Sequence, residues 1–390
     1  MHDVIVVGAG PSGLHATLKL KSHGLDVVLL EKKTEIGKHV VCTGIVSQQA
    51  FEEYDLSEGS VLTKIDRVKL ASPHNTTLSY EHPFPFAYVV DREKFDKYLS
   101  EKIQATNGEV KLETEVLDIT VDKNCVEVVA RRGKRTESFK AKMVLIATGI
   151  NFSLHKKLGL DLPKDFLYGI QAELSLSNGG CTKVFIGRDV APGAFAWQVP
   201  VGNERVRIGL MTEKEPRRYF EKLIEKYYPA IVKDLGKELI QFKAIAQGLV
   251  SKTYGDRVLA VGEAAGQVKT TTGGGIYYGL LCSDIAIQII KKRFEEGSFS
   301  VHAMAEYEKC WKKVLQKEIV TGYYARKLCA KLSDIQIEKL FQIVQNDGVF
   351  PLIKKEGNFD WHSELIFLLI KRIPLWQIFR SKIEPTCGIN

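Results

Sequence analysis

The sequence has no apolar run of the ~18 residues a membrane span needs. The longest near its end, LIFLLI at 365–370, stops at Lys371 and Arg372. Its seven cysteines are scattered, odd in number and without CxxC or His-rich spacing. That pattern excludes a disulfide framework and a zinc site, leaves no metal to expect, and points to free thiols in a reducing compartment. No signal-peptide pattern precedes DVIVVG, which begins at Asp3. Internal repeats, low-complexity tracts and long linkers are also missing from the 390 residues. The formal charge of +8 is too small an excess to point to nucleic acid, but it favours anionic ligands or an anionic membrane surface. The expectation is a cytoplasmic chain, free or peripheral to the inner face of the membrane. With 45% hydrophobic and 26% charged residues it has ordinary globular usage and enough length for two or three interleaved domains.

What is present begins at once. Residues 3–33, DVIVVGAGPSGLHATLKLKSHGLDVVLLEKK, read as strand, helix and strand, with VIVV and VVLL as buried parallel strands. Gly8, Gly10 and Gly13 fall on the G-x-G-x-x-G spacing. The first allows the tight turn, the second lets a pyrophosphate reach the backbone, and the third lets helix pack on strand. Glu31 closes the second strand, where a carboxylate accepts from both ribose hydroxyls. The unit therefore predicts a bound ADP moiety and leaves NAD and FAD open.

A late segment breaks the tie. Behind the strand RVLAV, residues 262–279 read GEAAGQVKTTTGGGIYYG, with no Gly-Lys-[Ser/Thr] to make a Walker loop. In two-domain flavoproteins a late strand returns to cover the ribityl chain and the flavin. Glu263 is placed to accept from ribityl or ribose hydroxyls, and a helix starting at Gly275 and Ile276 aims N–H groups at the flavin's pyrimidine edge. In YVVDREKFDKYL, residues 88–99, Arg92 stands at a strand–helix junction, where it either neutralises cofactor phosphates, anchors the flavin side or is simply solvated. VLIATG at 144–149 reads as the strand ending the nucleotide half, and TEVLDI puts Val116 where backbone can meet adenine.

Taken in order, GAGPSG, the CTGIVS loop at 42–47, YVVDREKFDKYL, APGAFAWQVP at 191–200 and GEAAG…GGGI resemble the geranylgeranyl reductase family of flavoproteins, whose wider fold is that of p-hydroxybenzoate hydroxylase. The resemblance implies an α/β fold: a Rossmann-like FAD-binding domain interleaved with an antiparallel-sheet substrate domain, plus C-terminal helices. The expected boundaries are 1–65 with 88–165 and 250–295 for FAD, 66–87 with 166–249 for substrate, and 296–390 for the helices. It further implies FAD held by Gly13, Glu31, Cys42, Thr43, Ile45, Arg92, Val116, Glu263, Gly275 and Ile276. The reaction it implies saturates isolated C=C bonds of polyprenyl chains on lipids, prenyl diphosphates or quinones. The sequence departs from the family pattern at Glu263 (usually Asp), Thr148-Gly149 (Asp-Gly in related hydroxylases), Thr270 (often Pro), Phe195 (Tyr) and Val199 (Phe).

Saturating such a bond needs hydride from reduced flavin, a proton for the other carbon, and an apolar tunnel that excludes water. Cys42 is either proton donor or substrate orienter, or a thiol packed as a small hydrophobe. Tyr277 and Tyr278 are weaker donor candidates. Phe195 and Trp197 alternate on one strand and so share a face, as tunnel lining or as sheet core. Arg205, Arg207, Arg217 and Arg218 either meet an anionic head group or are solvated. No second GxGxxG appears, so electrons come from a transient NAD(P)H or a small iron–sulfur carrier. Helices are expected from about Ile276 to Phe294 and from about Val301 to Lys331. Residues 364–382 form either an interfacial helix pair broken at Pro374 or a cap on the core. An aromatic or quinone monooxygenase of the same fold, and a non-catalytic flavin-containing lipid-binding protein, are the alternatives.

Overall fold

A computed structural model describes residues 1–372 except 177–179, 203, 235, 237–238 and 347–348. The chain forms two compact units. The first comprises Met1–Leu62, Tyr88–Phe166 and Ala244–Val320, and the second Thr63–Ala87, Leu167–Lys243 and the described part of Thr321–Asn390. The sequence assigned 296–390 to a helical region of its own. In the structure the division between units falls inside the helix Val301–Cys329.

The first unit is built on an eight-stranded sheet whose central strands are parallel. His2–Val7 lies between Arg135–Ile146 and Val27–Leu30, with Ile5 beside both Val144 and Val28. Val258–Ala260 extends the sheet on one side and Glu109–Lys111 on the other. Both faces are covered, which is why these strands are unbroken apolar runs and not alternating ones. Ile5, Val28, Val144 and Ile146 are fully or almost fully buried in one cluster with Val258 and Ala265. Thr114–Val121, Val126–Arg132 and the long strand Arg135–Ile146 form an antiparallel meander. The helix Pro11–Ser22 starts with Pro in its first turn, where the missing N–H costs nothing, and ends with Lys19 and Lys21 beside its negative pole. Helices Ile276–Glu296 and Val301–Cys329 match the expected pair to within a few residues.

The second unit contains most of a seven-stranded sheet in the order Gln241–Gln247, Asp165–Ser175, Arg205–Thr212, Ala196–Pro200, Thr182–Phe185, Arg67–Ala71, Thr77–Glu81. Helix Pro216–Tyr227 packs on one face through Phe220, Leu223 and Ile224, against Ile170, Ala172 and Leu210. Each of these three side chains contributes about 1.5–3 kcal/mol by its burial. Leu78 meets Phe341 of the helix Asp334–Asn346 in a separate cluster. The expected antiparallel sheet needs one correction: Thr182–Phe185 and Arg67–Ala71 run parallel. About a hundred residues separate them, ample for a crossover connection that no hairpin supplies.

Candidate functional site

The glycine turn closes the first strand. The Gly8 amide donates to the Leu30 carbonyl at 2.9 Å, and its φ of +104° is one that side chains avoid. A Cβ at Gly8 would stand 2.5 Å from the Ala147 carbonyl oxygen, and one at Gly13 would overlap the Gly8 carbonyl. A Cβ at Gly10 would meet nothing within 4 Å. Two of the three glycines are thus fixed by the protein's own packing, and the middle one faces open space. Glu31 sits beside this turn. Its two oxygens accept from the amides of Ala9 at 2.7 Å and Lys33 at 2.9 Å, leaving further lone pairs on each. The Glu31 carbonyl accepts from Thr114, so the strand that carries Val116 is anchored to the same place. Val116 itself is partly buried against the sheet core.

The late loop reaches the same turn from the other end of the chain. Gly262 has φ +67°, and a Cβ there would lie 2.6 Å from Ser12 Oγ. A Cβ at Gly279 would collide with the same oxygen. Ser283 Oγ lies 2.7 Å from the Gly279 carbonyl and 3.2 Å from that of Ser12. Ser12, a member of the first glycine motif, is thus wedged between two glycines some 250 residues later in the chain. A buried polar chain holds the turn Gly262–Ala265. The Gly262 amide donates to Gln267 Oε1 at 2.7 Å, Gln267 Nε2 donates to the Tyr307 hydroxyl at 2.8 Å, and that hydroxyl donates to the Ala260 carbonyl at 2.8 Å. Gln267 and Tyr307 are both 0% exposed. His155, also fully buried, donates from Nε2 to the Ala264 carbonyl at 2.8 Å, while its Nδ1 is buried without a partner. Burial pushes its pKa below the usual 6.5, so the ring is neutral.

Glu263 stands half-buried in this turn. Gly275 and Ile276, half-buried as well, open the 21-residue helix, whose first-turn amides have no side-chain cap. Thr270, found where the family often has Pro, donates its hydroxyl to the Ile319 carbonyl at 2.8 Å, a bond proline cannot make. The Tyr277 hydroxyl accepts from Gln49 at 2.8 Å and donates to Glu53 at 3.0 Å, so its proton is already committed to a carboxylate. Tyr278 is buried.

In the cysteine loop, the Gly44 amide points at Cys42 Sγ, 3.3 Å away, and the Gly44 carbonyl accepts from Val90. This bond ties the loop, with Thr43 and Ile45, to the strand Ala87–Val90. Asp91 then caps the helix Arg92–Ala105 by accepting from Glu93 and Lys94. Arg92 is nearly buried, and one of its terminal nitrogens spans both oxygens of Asp96, at 2.9 and 3.0 Å. Burial opposes the guanidinium charge, but Asp96 and the neighbouring Cys42 outweigh it and keep Arg92 protonated. Its Nε is buried without a partner. Ser12, Gln267, Tyr307, Asp96 and His155 escaped the sequence reading. Only Asp96 carried a local signal there, its i,i+4 spacing from Arg92.

In the second unit Trp197 lies on the strand Ala196–Pro200, while Phe195, expected on the same strand, stands just before it, their rings 6.0 Å apart and edge to face. A Cβ at Gly209, directly opposite Trp197, would lie 2.6 Å from the indole, so the ring occupies space that only glycine leaves free. The indole Nε1 is buried without a hydrogen-bond partner. Arg205 and Arg207 pair with Glu173, Arg217 with Glu221 and Arg218 with Glu215. Among the described residues there is no cluster of metal-ligating side chains, none of the six cysteines forms a disulfide, and no helix is long and apolar enough to cross a membrane.

Residues 2–167 match the family described as pyridine nucleotide-disulphide oxidoreductase. The chain is 30% identical to the digeranylgeranylglycerophospholipid reductase of Methanocaldococcus jannaschii, over 90% of its own length and 92% of that protein's. The solved structure of a geranylgeranyl bacteriochlorophyll reductase-like protein from Thermoplasma acidophilum superposes with a TM-score of 0.85 at 22% identity, covering 97% of this chain and 98% of that one. A flavin-dependent brominase superposes with a TM-score of 0.73 at 16% identity, covering 98% and 100%. The fold is that of the flavin-dependent oxidoreductases, and the chain belongs to the geranylgeranyl reductase family, with the digeranylgeranylglycerophospholipid reductases among its relatives.

Proposed function

We propose that this chain is an FAD-dependent reductase of isolated C=C bonds in polyprenyl chains carried by a lipid, a prenyl diphosphate or a quinone. The observation that carries the reading is the meeting at Ser12 of the glycine turn with Glu31 and the late glycine loop, in a chain akin to a reductase of digeranylgeranylglycerophospholipid. Gly10 offers open backbone to the pyrophosphate, beside Gly8 and Gly13, which have no room for a side chain. The free lone pairs of Glu31 accept from the adenosine ribose, and Val116 borders the adenine. Glu263 accepts from ribityl or ribose hydroxyls. The uncapped amides after Gly275 and at Ile276 favour negative charge at the flavin's pyrimidine edge. Cys42, Thr43 and Ile45 would hold the flavin from the other loop. Arg92, its charge met by Asp96, anchors that side through the buried Nε donor.

Bound FAD supplies the two electrons of the reduction. Cys42 gives the proton or orients the alkene, its sulfur held in place by the Gly44 amide. Phe195 and Trp197 offer an apolar wall to a prenyl chain. A transient NAD(P)H or a small iron–sulfur carrier would supply the electrons. The helix Ser363–Arg372 exposes Phe367 and Ile370 next to Lys371 and Arg372, a composition suited to an anionic membrane surface. Sedimentation with anionic liposomes at low salt is the expected outcome, and its absence removes the membrane contact. Pro374 lies outside the described residues. The reaction is tested by lipid mass spectrometry of an expression host with and without the protein. Gains of two mass units per double bond support it, and an unchanged lipid profile together with inactivity on a purified geranylgeranyl lipid refutes it.

A further inference from the structure

The parallel pair found in the second unit sets two cations side by side. In its register Lys183 stands directly beside Lys69, and the two strands are neighbours. Strands in a sheet lie about 4.8 Å apart and registered residues project to the same face, so two ammonium groups start next to each other. Arg67, two residues before Lys69, shares that face. Like charges in register are destabilising unless something offsets them. Arg67 has a carboxylate, Glu81, at 3.0 Å. Lys69, Lys183 and nearby Lys64 have none among the described residues, and Asp66 is the only acidic side chain beside them in the cleft that they line. That cleft, about 560 Å³ and lined also by Gly180 and the buried Thr182, has the size of a small-molecule site. Unpaired lysines on a convex surface are ordinary solvated charge. Here they line one concavity, with two like-charged residues in register on neighbouring strands.

We infer that this cleft binds a phosphate-bearing anion, held by Lys69 and Lys183 together and supported by Lys64. The ligand phosphate comes either from a lipid head group or from a soluble phosphate ester, and both present anionic non-bridging phosphate oxygens to the two ammonium groups, with one negative charge on a diester and up to two on a monoester. The site lies wholly in the second unit and does not rest on the proposed reductase activity.

The test uses the full chain loaded with flavin, so that the glycine turn is filled and cannot take the probe. Inorganic pyrophosphate is titrated calorimetrically at low and at moderate salt. Wild type is expected to bind and to weaken as salt rises. Lys69→Gln with Lys183→Gln should bind about tenfold more weakly, the loss of two partly exposed ion pairs, whereas Lys69→Arg with Lys183→Arg should retain binding. Thermal unfolding checks the fold, and removing a like-charge contact should leave the melting temperature equal or higher. Vesicles of equal parts phosphatidylglycerol and phosphatidylcholine separate the sources. If the double Gln variant loses vesicle binding, the phosphate is a head group. If pyrophosphate discriminates the variants and vesicles do not, the ligand is soluble. Equal binding of pyrophosphate and of vesicles by wild type and the double Gln variant overturns the site.

Discussion

Replacing Gln267 by Leu isolates the contribution of the buried polar chain to cofactor binding. The side chain is 0% exposed and makes two hydrogen bonds, at 2.7 Å from the Gly262 amide and at 2.8 Å to the Tyr307 hydroxyl. Leu keeps most of the volume, so a cavity is a minor part of the effect. What changes is that the Gly262 amide becomes a buried donor with no acceptor, while Tyr307 keeps its bond to the Ala260 carbonyl. One orphaned donor costs about 1–3 kcal/mol. The turn Gly262–Ala265 can relieve that cost only by moving, which displaces Glu263. FAD affinity should therefore fall about 5- to 150-fold at about 1.4 kcal/mol per tenfold. Flavin fluorescence titration of the apoprotein measures this, with thermal unfolding of the same apoprotein as a control. Tyr307→Phe and the double variant complete a cycle, and a coupling above about 0.5 kcal/mol is expected for groups in one network. If Gln267→Leu lowers apoprotein stability yet binds FAD within about twofold of wild type, the network is only a structural element and this reasoning fails.

Three further outcomes follow from the same geometry. Gly279→Ala puts a methyl group onto Ser12 Oγ and should cost about 1–3 kcal/mol with weakened flavin binding. Ser12→Gly should restore part of the loss, and a Gly279→Ala protein with wild-type stability and affinity contradicts the wedge. Cys42→Ala should slow alkene reduction about 10²-fold or more if the thiol delivers the proton, with flavin affinity little changed; a wild-type rate removes that role. His155 is held below its ordinary pKa by burial, so the unfolded chain takes up a proton before the folded one does. Its contribution is complete above pH ~6.5 and is lost as pH falls toward the folded value. Melting temperature should drop over that window, and His155→Gln should flatten the drop; an unchanged slope refutes the assignment.

Much of the first unit was legible because its physics is local. Buried parallel strands are apolar runs, the glycine spacing marks a tight turn, and YVVDREKFDKYL passes from strand to helix at Arg92. Gly8 and Gly13 proved to be packing glycines and Gly10 the open one, as their order in the motif implies. The parallel register of Lys69 with Lys183 was not legible, since nothing near either residue encodes a partner about a hundred residues away. The helix Val301–Cys329 keeps one periodicity across the boundary between units, so no composition change marks it. Ser12 reads as one more small residue of a glycine motif until Gly262 and Gly279 are seen against it. Gln267 and Tyr307 lie forty residues apart and meet only in the fold. Trp197 was visible as an aromatic on a strand, but its seat over Gly209 needed the pairing of two strands.

The most direct test is a single turnover without oxygen. Protein loaded with FAD, reduced and freed of excess reductant, is mixed with a geranylgeranyl glycerophospholipid while flavin absorbance and lipid mass are followed together. The oxidised flavin band should return in step with a gain of two mass units, one double bond per flavin. A flavin that stays reduced while the lipid mass is unchanged, or a protein that binds no FAD at all, would contradict it.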